Sequence, residues 1–147
     1  MKDIDDLDKS ILRLLSMDGR MSFTEIASQL EVTEKTVRTR YRTLVDQGIL
    51  EVVGVVNPIS LGLKVSAILQ LGVEAQKLND VMEEIMSFKE VRHVSLITGE
   101  YQLLMQVNVK TYDDLTLFLK GLNTISGISK SNVMVQLEVN KNTFEIH

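Results

Sequence analysis

SFTEIASQLEVTEKTVRTRYRTLVD, residues 22–46, carries two helix starts about ten residues apart and gathers positive charge on the second helix. Ser22 and Glu25 have the spacing of a capping box, in which the serine oxygen takes an orphan backbone N–H and the glutamate reaches back. Behind them Ile26, Ala27 and Leu30 form one buried face. Thr33 is placed to cap a further helix. Val37, Tyr41, Leu44 and Val45 recur at helical spacing, so that helix also turns one face inward, and Gly48 is placed to end it. Lys35, Thr36, Arg38, Thr39 and Arg42 then lie on or beside the outward face, with Arg40 at its edge. Two short capped helices with a tight link between them predict a helix-turn-helix.

Working outward, Leu7, Ile11, Leu14 and Leu15 give a preceding helix one apolar face, with Asp5 or Asp6 as its cap and Gly19 as its stop. Ile49 to Val56 is β-branched and predicts an extended segment, either a wing or a link. Past Asn57-Pro58 the pattern changes. Val65, Ala67, Leu69, Leu71 and Val73 share a strand face. Leu78, Val81, Met82, Ile85 and Met86 return to helical spacing. Val91–Thr98 and Gln102–Val109 read as strands around Gly99-Glu100. Thr111 and Asp114 open a second capping box before Leu115, Phe118, Leu119 and Leu122. Val133, Val135, Leu137 and Val139 close with a strand. The order is β-α-β-β-α-β, a ferredoxin-like plan. The fold class is therefore α+β, with residues 1–57 as a helix-turn-helix domain and 58–147 as the second domain.

Two helices cover one face of a four-stranded sheet, so the other face should be polar. Ile68, Ile97, Leu104 and Met134 instead fall on the alternate positions. Packing of two subunits through their sheets would cover them.

Composition narrows the function. The chain has 147 residues, 24% charged and 44% hydrophobic, with net charge −4. No apolar run approaches a membrane span, and the acidic start carries no signal-peptide pattern, so a cytoplasmic protein is expected. Without cysteine there is neither a disulfide nor a thiolate metal site. Histidine occurs only at His93, read as a partly buried structural residue, and at His147. No nucleophile triad, phosphate loop or metal-spaced cluster is present, so no catalytic residue, metal or cofactor is expected. An acidic chain does not coat nucleic acid by bulk charge, yet a local basic patch can bind it. Four basic residues against Glu34 between positions 32 and 45 make such a patch. A helix fits the major groove of B-DNA, and the second helix of a helix-turn-helix reaches base edges there. Lysine and arginine read guanine or hold phosphate, and threonine can touch a thymine methyl.

The chain resembles the Lrp/AsnC, or feast/famine, transcription regulators. The matching features are Leu7-Asp8, Ile11-Leu12, Asp18-Gly19-Arg20, Ile26-Ala27, Arg40 before Leu44, Gly48-Ile49, Asn57-Pro58 and Leu61-Gly62. VRHVSLITGEYQLLMQV and LNTISGISKSNVMVQL look like that family's effector and oligomerisation domain. The resemblance implies a winged helix-turn-helix followed by a RAM/ACT-like domain. It also implies a sequence-specific DNA-binding regulator on a pseudo-palindromic operator, and a homodimer assembling to a tetramer or octamer. The expected DNA-binding residues are Ser22, Thr33, Lys35, Thr36, Arg38, Thr39, Arg40 and Arg42. An amino-acid-like effector is implied at subunit interfaces around Thr98, Gly99, Glu100, Tyr101 and Gln102. Two positions depart from the family. Many members have an acidic residue at Gln102 and a threonine at Val133, groups suited to an effector's ammonium and carboxylate. Two other functions fit the same fold: a ligand-independent architectural DNA-binding protein, and an enzyme akin to the family's sirohaem decarboxylase relatives.

Overall fold

A computed structural model describes residues 3–143 and 146; Met1, Lys2, Phe144, Glu145 and His147 lie outside the described residues. The chain forms two compact units, one running to Val55 and taking in the described residues from Lys141 on, the other spanning Val56–Asn140.

The first unit is three helices: α1 (Asp6–Met17), α2 (Phe23–Gln29) and α3 (Glu34–Asp46). Each starts where a side chain satisfies free N–H groups. Asp5 forms a capping box with Asp8, Ser22 forms one with Glu25, and Thr33 accepts from the Thr36 N–H. Their inward faces meet in a core of Ile11, Leu15, Ile26, Ala27, Val37 and Leu44. Asp8 is buried with them at 7% exposure, and Arg40 of α3 meets it, with Nη1 donating to Asp8 Oδ2 at 3.1 Å and to Asp5 Oδ2 at 2.6 Å. The turn between α2 and α3 holds Glu31 at φ 54°, a left-handed conformation that glycine adopts more cheaply. After α3, residues 51–57 carry no strand pairing, so the β-branched segment is a link, and no wing ladder forms among the described residues.

The second unit holds β1 (Val65–Val73), α4 (Leu78–Met86), β2 (Val91–Leu96), β3 (Leu103–Val109), α5 (Tyr112–Leu122) and β4 (Ile128–Gln136). The sheet order is β2-β3-β1-β4 with every pair antiparallel, the ferredoxin-like arrangement. Val65, Ala67, Leu69, Leu71 and Val73 are all buried under α4 and α5, with Leu103, Met105, Val107 and Val109 beside them. Period 2 along the strands set this face.

β4 differs from its expected position. It begins at Ile128, just after Gly127 turns the chain at φ 107°, and ends at Gln136 opposite Ser66. Leu137 and Val139 therefore lie beyond the paired strand. The polar half of β4, Ser129 to Asn132, has no apolar alternation to betray it.

The sheet's other face is mixed. Ile68 stands opposite Met134, and Gln70 opposite Leu104. Between these apolar residues run side-chain bonds. Ser66 donates to Gln136, the Gln106 amide donates to both, and Asn132 donates to Gln70 at 2.9 Å. His93 lies on this face opposite Gln106 and is exposed, not half-buried as its strand position suggested. Ile97 follows β2 in the hairpin, where its N–H donates to the Gln102 carbonyl.

Candidate functional site

The outward face of α3 is set by its caps and its core. Burial of Val37 and Leu44 fixes the helix rotation, which leaves Lys35, Arg38, Thr39 and Arg42 exposed. Phe23 of α2 and Tyr41 of α3 pack at 5.1 Å between ring centroids, and Thr24 donates to Glu34, so the two helices are tied on both sides of the turn.

The cations on this face are not equivalent. Lys35 and Arg42 have no ion-pair or hydrogen-bond partner for their charged groups among the described residues. Arg38 pairs with Glu34 and lies over the Phe23 ring at 5.3 Å. The Arg38 guanidinium is the first cause, and Thr24 the second, holding the Glu34 carboxyl below its usual range. Arg40, expected at the edge of the reading face, is turned back onto α1. Asp5 first, then Asp8, raise its pKa. On its side, Asp5 is lowered chiefly by the Asp8 backbone N–H and then by Arg40. Arg40 therefore fastens α3 to α1, a role that sequence spacing could not separate from DNA contact.

The hydroxyls are similarly sorted. Ser22 Oγ serves its capping box, donating to Glu25 at 2.7 Å, and this bond is the first reason the Glu25 carboxyl is lowered. Thr33 and Thr36 share a hydrogen bond at 2.8 Å. Thr39 donates to the Lys35 carbonyl, which leaves its methyl and lone pairs outward.

At the end of the β2–β3 hairpin, residues 98–102 form the second candidate site. Gly99 has φ 114°, so a side chain there would be strained. Two of the loop's polar side chains, Gln102 and Glu100, already have partners. Gln102 Oε1 accepts the Val73 N–H at 2.8 Å, where the β1–β4 register shifts. An irregularity in the ladder leaves a backbone donor free, and this glutamine supplies its acceptor. Lys130 of β4 donates to Glu100 at 2.6 Å and lies over the Tyr101 ring at 4.9 Å. It reaches there across Gly72, where a Cβ would fall 2.6 Å from Lys130 Cγ. Sequence reading missed both Lys130 and Gly72, because only strand pairing brings them to this loop. Thr98 is exposed. Val133 stands opposite Leu69, on the helix-covered side of the sheet, at 36% exposure.

No group of histidine or acidic side chains suited to a metal occurs among the described residues. Nor is any helix among them long and apolar enough to cross a membrane.

Comparison with known proteins places both units. Residues 4–45 match the AsnC-type helix-turn-helix domain, and residues 66–146 match the Lrp/AsnC ligand binding domain. The chain is 36% identical over 141 residues to an uncharacterised HTH-type transcriptional regulator of Pyrococcus horikoshii, covering 95% of this chain and 89% of that protein. It is 33% identical over 145 residues to another from Pyrococcus furiosus, covering 98% of each. Escherichia coli AsnC superposes with a TM-score of 0.88 at 24% identity, over 96% of this chain and 97% of that one. A Neisseria meningitidis transcriptional regulator, solved as a complex with L-methionine, superposes with a TM-score of 0.90 at 21% identity, over 99% and 97%.

Proposed function

Because the chain belongs to the Lrp/AsnC family of transcriptional regulators, we propose that it reads double-stranded DNA through the outward face of α3, as a homodimer, under the control of a small effector. The observation that carries this reading is the division of cations on α3. Lys35 and Arg42 stand exposed and unpartnered, whereas Arg40 is spent on α1. Lys35, Thr36 and Thr39 contact bases, and Arg42 holds phosphate. Arg38 joins them by exchanging Glu34 for DNA. Ser22 and Thr33, at the N-termini of α2 and α3, keep their capping roles and offer the phosphate backbone N–H groups. Gel-shift titration tests this. Arg42→Ala weakens binding to an operator and to random DNA alike, whereas Lys35→Ala loses more on the operator. Unchanged affinity in both variants refutes it.

Assembly rests on the open sheet face. On that face Met134 is exposed and Ile68 and Leu104 are half-buried, and two such faces packed together cover them. Two-fold symmetry then pairs with a pseudo-palindromic operator whose half-sites lie about 34–36 Å apart, or multiples of that. Further assembly of dimers to a tetramer or octamer builds on the same unit. Such a regulator works in the cytoplasm and carries out no catalysis.

An effector binds at the Thr98–Gln102 loop. The L-methionine held by the Neisseria relative supports an amino-acid-like class. Here, however, Gln102 is committed to Val73 and Lys130 already supplies a cation to Glu100. A free ammonium group must displace Lys130, so common amino acids bind weakly. The same two contacts favour a second reading, a DNA-binding protein that needs no effector. Thermal melting against an amino-acid panel separates the two, because a ligand that binds only the native state raises the melting temperature.

A further inference from the structure

The outward face of α3 carries one acid among its cations. Glu34 is the only acidic residue between positions 32 and 45, and it is exposed at the start of the helix. A carboxylate there suits the helix dipole. It also opposes every phosphate that the neighbouring cations attract.

Both oxygens of this carboxylate are held. Oε1 accepts from the Arg38 guanidinium, and Oε2 accepts from Thr24 Oγ1 of α2 at 3.1 Å. Arg38 in turn lies over the Phe23 ring of α2 at 5.3 Å, and Phe23 packs on Tyr41 of α3. A plain pair at i, i+4 joins two side chains of one helix. This pair is also anchored to the start of a second helix, through Thr24 and Phe23, so Arg38 is drawn toward α2. In a helix-turn-helix the first of the two helices crosses the DNA backbone. Arg38 therefore rests on the backbone side of the face, in the grip of a carboxylate.

Two kinds of acceptor on DNA compete with Glu34 for Arg38. A phosphate brings its own negative charge up to the carboxylate, so it satisfies the arginine and repels the glutamate. A guanine edge is neutral and offers O6 and N7 together, a bidentate fit to a guanidinium. The N4 amino group of cytosine is a donor that a carboxylate accepts. A G·C pair thus satisfies both side chains, whereas phosphate satisfies one. The two residues start four positions apart, about 6 Å along α3, within reach of one base pair and its neighbour.

We propose that Glu34 and Arg38 act together as a specificity element. Arg38 reads guanine, Glu34 reads the cytosine amino group of the same or the neighbouring pair, and on other sequences Glu34 keeps Arg38 off phosphate. The inference rests on the reading of α3 as the helix that contacts DNA, and gives Glu34 a role in it.

Fluorescence anisotropy with the full chain tests it on two probes: a duplex enriched by the wild-type protein from a random pool, and the random pool itself. Glu34→Gln keeps the size of the side chain and removes its charge. It binds the random pool about threefold tighter, the scale of one released surface ion pair. The salt dependence there steepens by about one phosphate contact. It binds the enriched duplex about fivefold more weakly, and a fresh enrichment with the variant loses the cytosine preference at one position. Adding Arg38→Ala removes the gain on random DNA. A purely structural or net-charge role moves both probes by the same factor. That result, an unchanged base preference, or a gain on random DNA that persists without Arg38 each overturn the proposal. Arg42→Ala, measured alongside, weakens binding to both probes. If it does not, the reading of α3 fails and the proposal falls with it; if it does, the Glu34 results decide the proposal alone.

Discussion

The two units solve the same problem of stability with different means. In the first, six buried apolar residues form the core. Contacts that jump between helices supplement it: Arg40 to Asp5 and Asp8, and Thr24 to Glu34. In the second, fifteen buried residues fill one face of a sheet, and backbone ladders hold its elements in register. Polar residues surround the small helical core, and two cations not used as ties, Lys35 and Arg42, lie on the outward face of α3. The sheet has a second face, half apolar and half amide, that its own helices cannot reach. In the proposed reading, recognition of DNA falls to the helix surface and assembly to the sheet surface.

The contrast breaks most visibly if the sheet face is charged. Leu104→Glu with Met134→Glu leaves the helical unit folded but weakens dimerisation at least about a thousandfold, because uncompensated charges would be buried between the sheets. Sedimentation equilibrium reads the loss, and a variant that stays dimeric at micromolar concentration rules out this face. The matching change on α3, Lys35→Ala with Arg42→Ala, leaves the dimer intact and lowers operator affinity by roughly a hundredfold, since single contacts cost about 1–3 kcal/mol. The slope of affinity against salt falls with it, and fluorescence anisotropy at several salt concentrations measures both.

Acid sharpens the contrast. Asp5, Glu25 and Glu34 all lie in the first unit, and their carboxyls are held below their usual values by neighbouring donors. The unfolded chain then binds protons at higher pH than the folded one. Their stabilisation is complete above the ordinary carboxylate range and is lost as pH falls below about 4.5 and on through the depressed folded values. Glu25→Gln flattens part of that loss. Circular dichroism melts between pH 3 and 6 give the comparison, and parallel curves for the two proteins contradict the assignment.

A smaller effect concerns the turn. Glu31→Gly relieves a left-handed φ of 54° and, net of the freedom glycine adds to the unfolded chain, stabilises the helical unit by up to about 1 kcal/mol. Urea unfolding measures this. The smallest effect is expected at the loop. Lys130→Met removes the exposed pair with Glu100 and changes stability by under about 1 kcal/mol. It strengthens binding of any ammonium-bearing effector, which calorimetry detects. If amino-acid affinity does not change, Lys130 does not compete for that site.

The helical unit is the more legible in the sequence. Ser22, Glu25 and Thr33 announce their caps, and the spacing of Val37 and Leu44 places the outward cations within a residue or two. Spacing puts Arg40 at the edge of that face but does not reveal its bonds to Asp5 and Asp8, because one helix edge looks like another until α1 is docked on it. In the second unit the alternation from Val65 to Val73 marks the buried face. The polar start of β4 carries no such signal.

Local periodicity and capping are properties of the sequence by itself. They determined three helices, one basic face, and a β-α-β-β-α-β order with apolar residues on both sheet faces. Only the tertiary structure decided which polar groups are already taken. Arg40 is spent on Asp5 and Asp8, Gln102 on Val73, and Lys130 on Glu100, while Asn108 Oδ1 is left without a donor. Spacing along one element fixes the direction of a side chain. In each of these contacts the partner sits some 30 residues away, and helix docking and strand register bring it there.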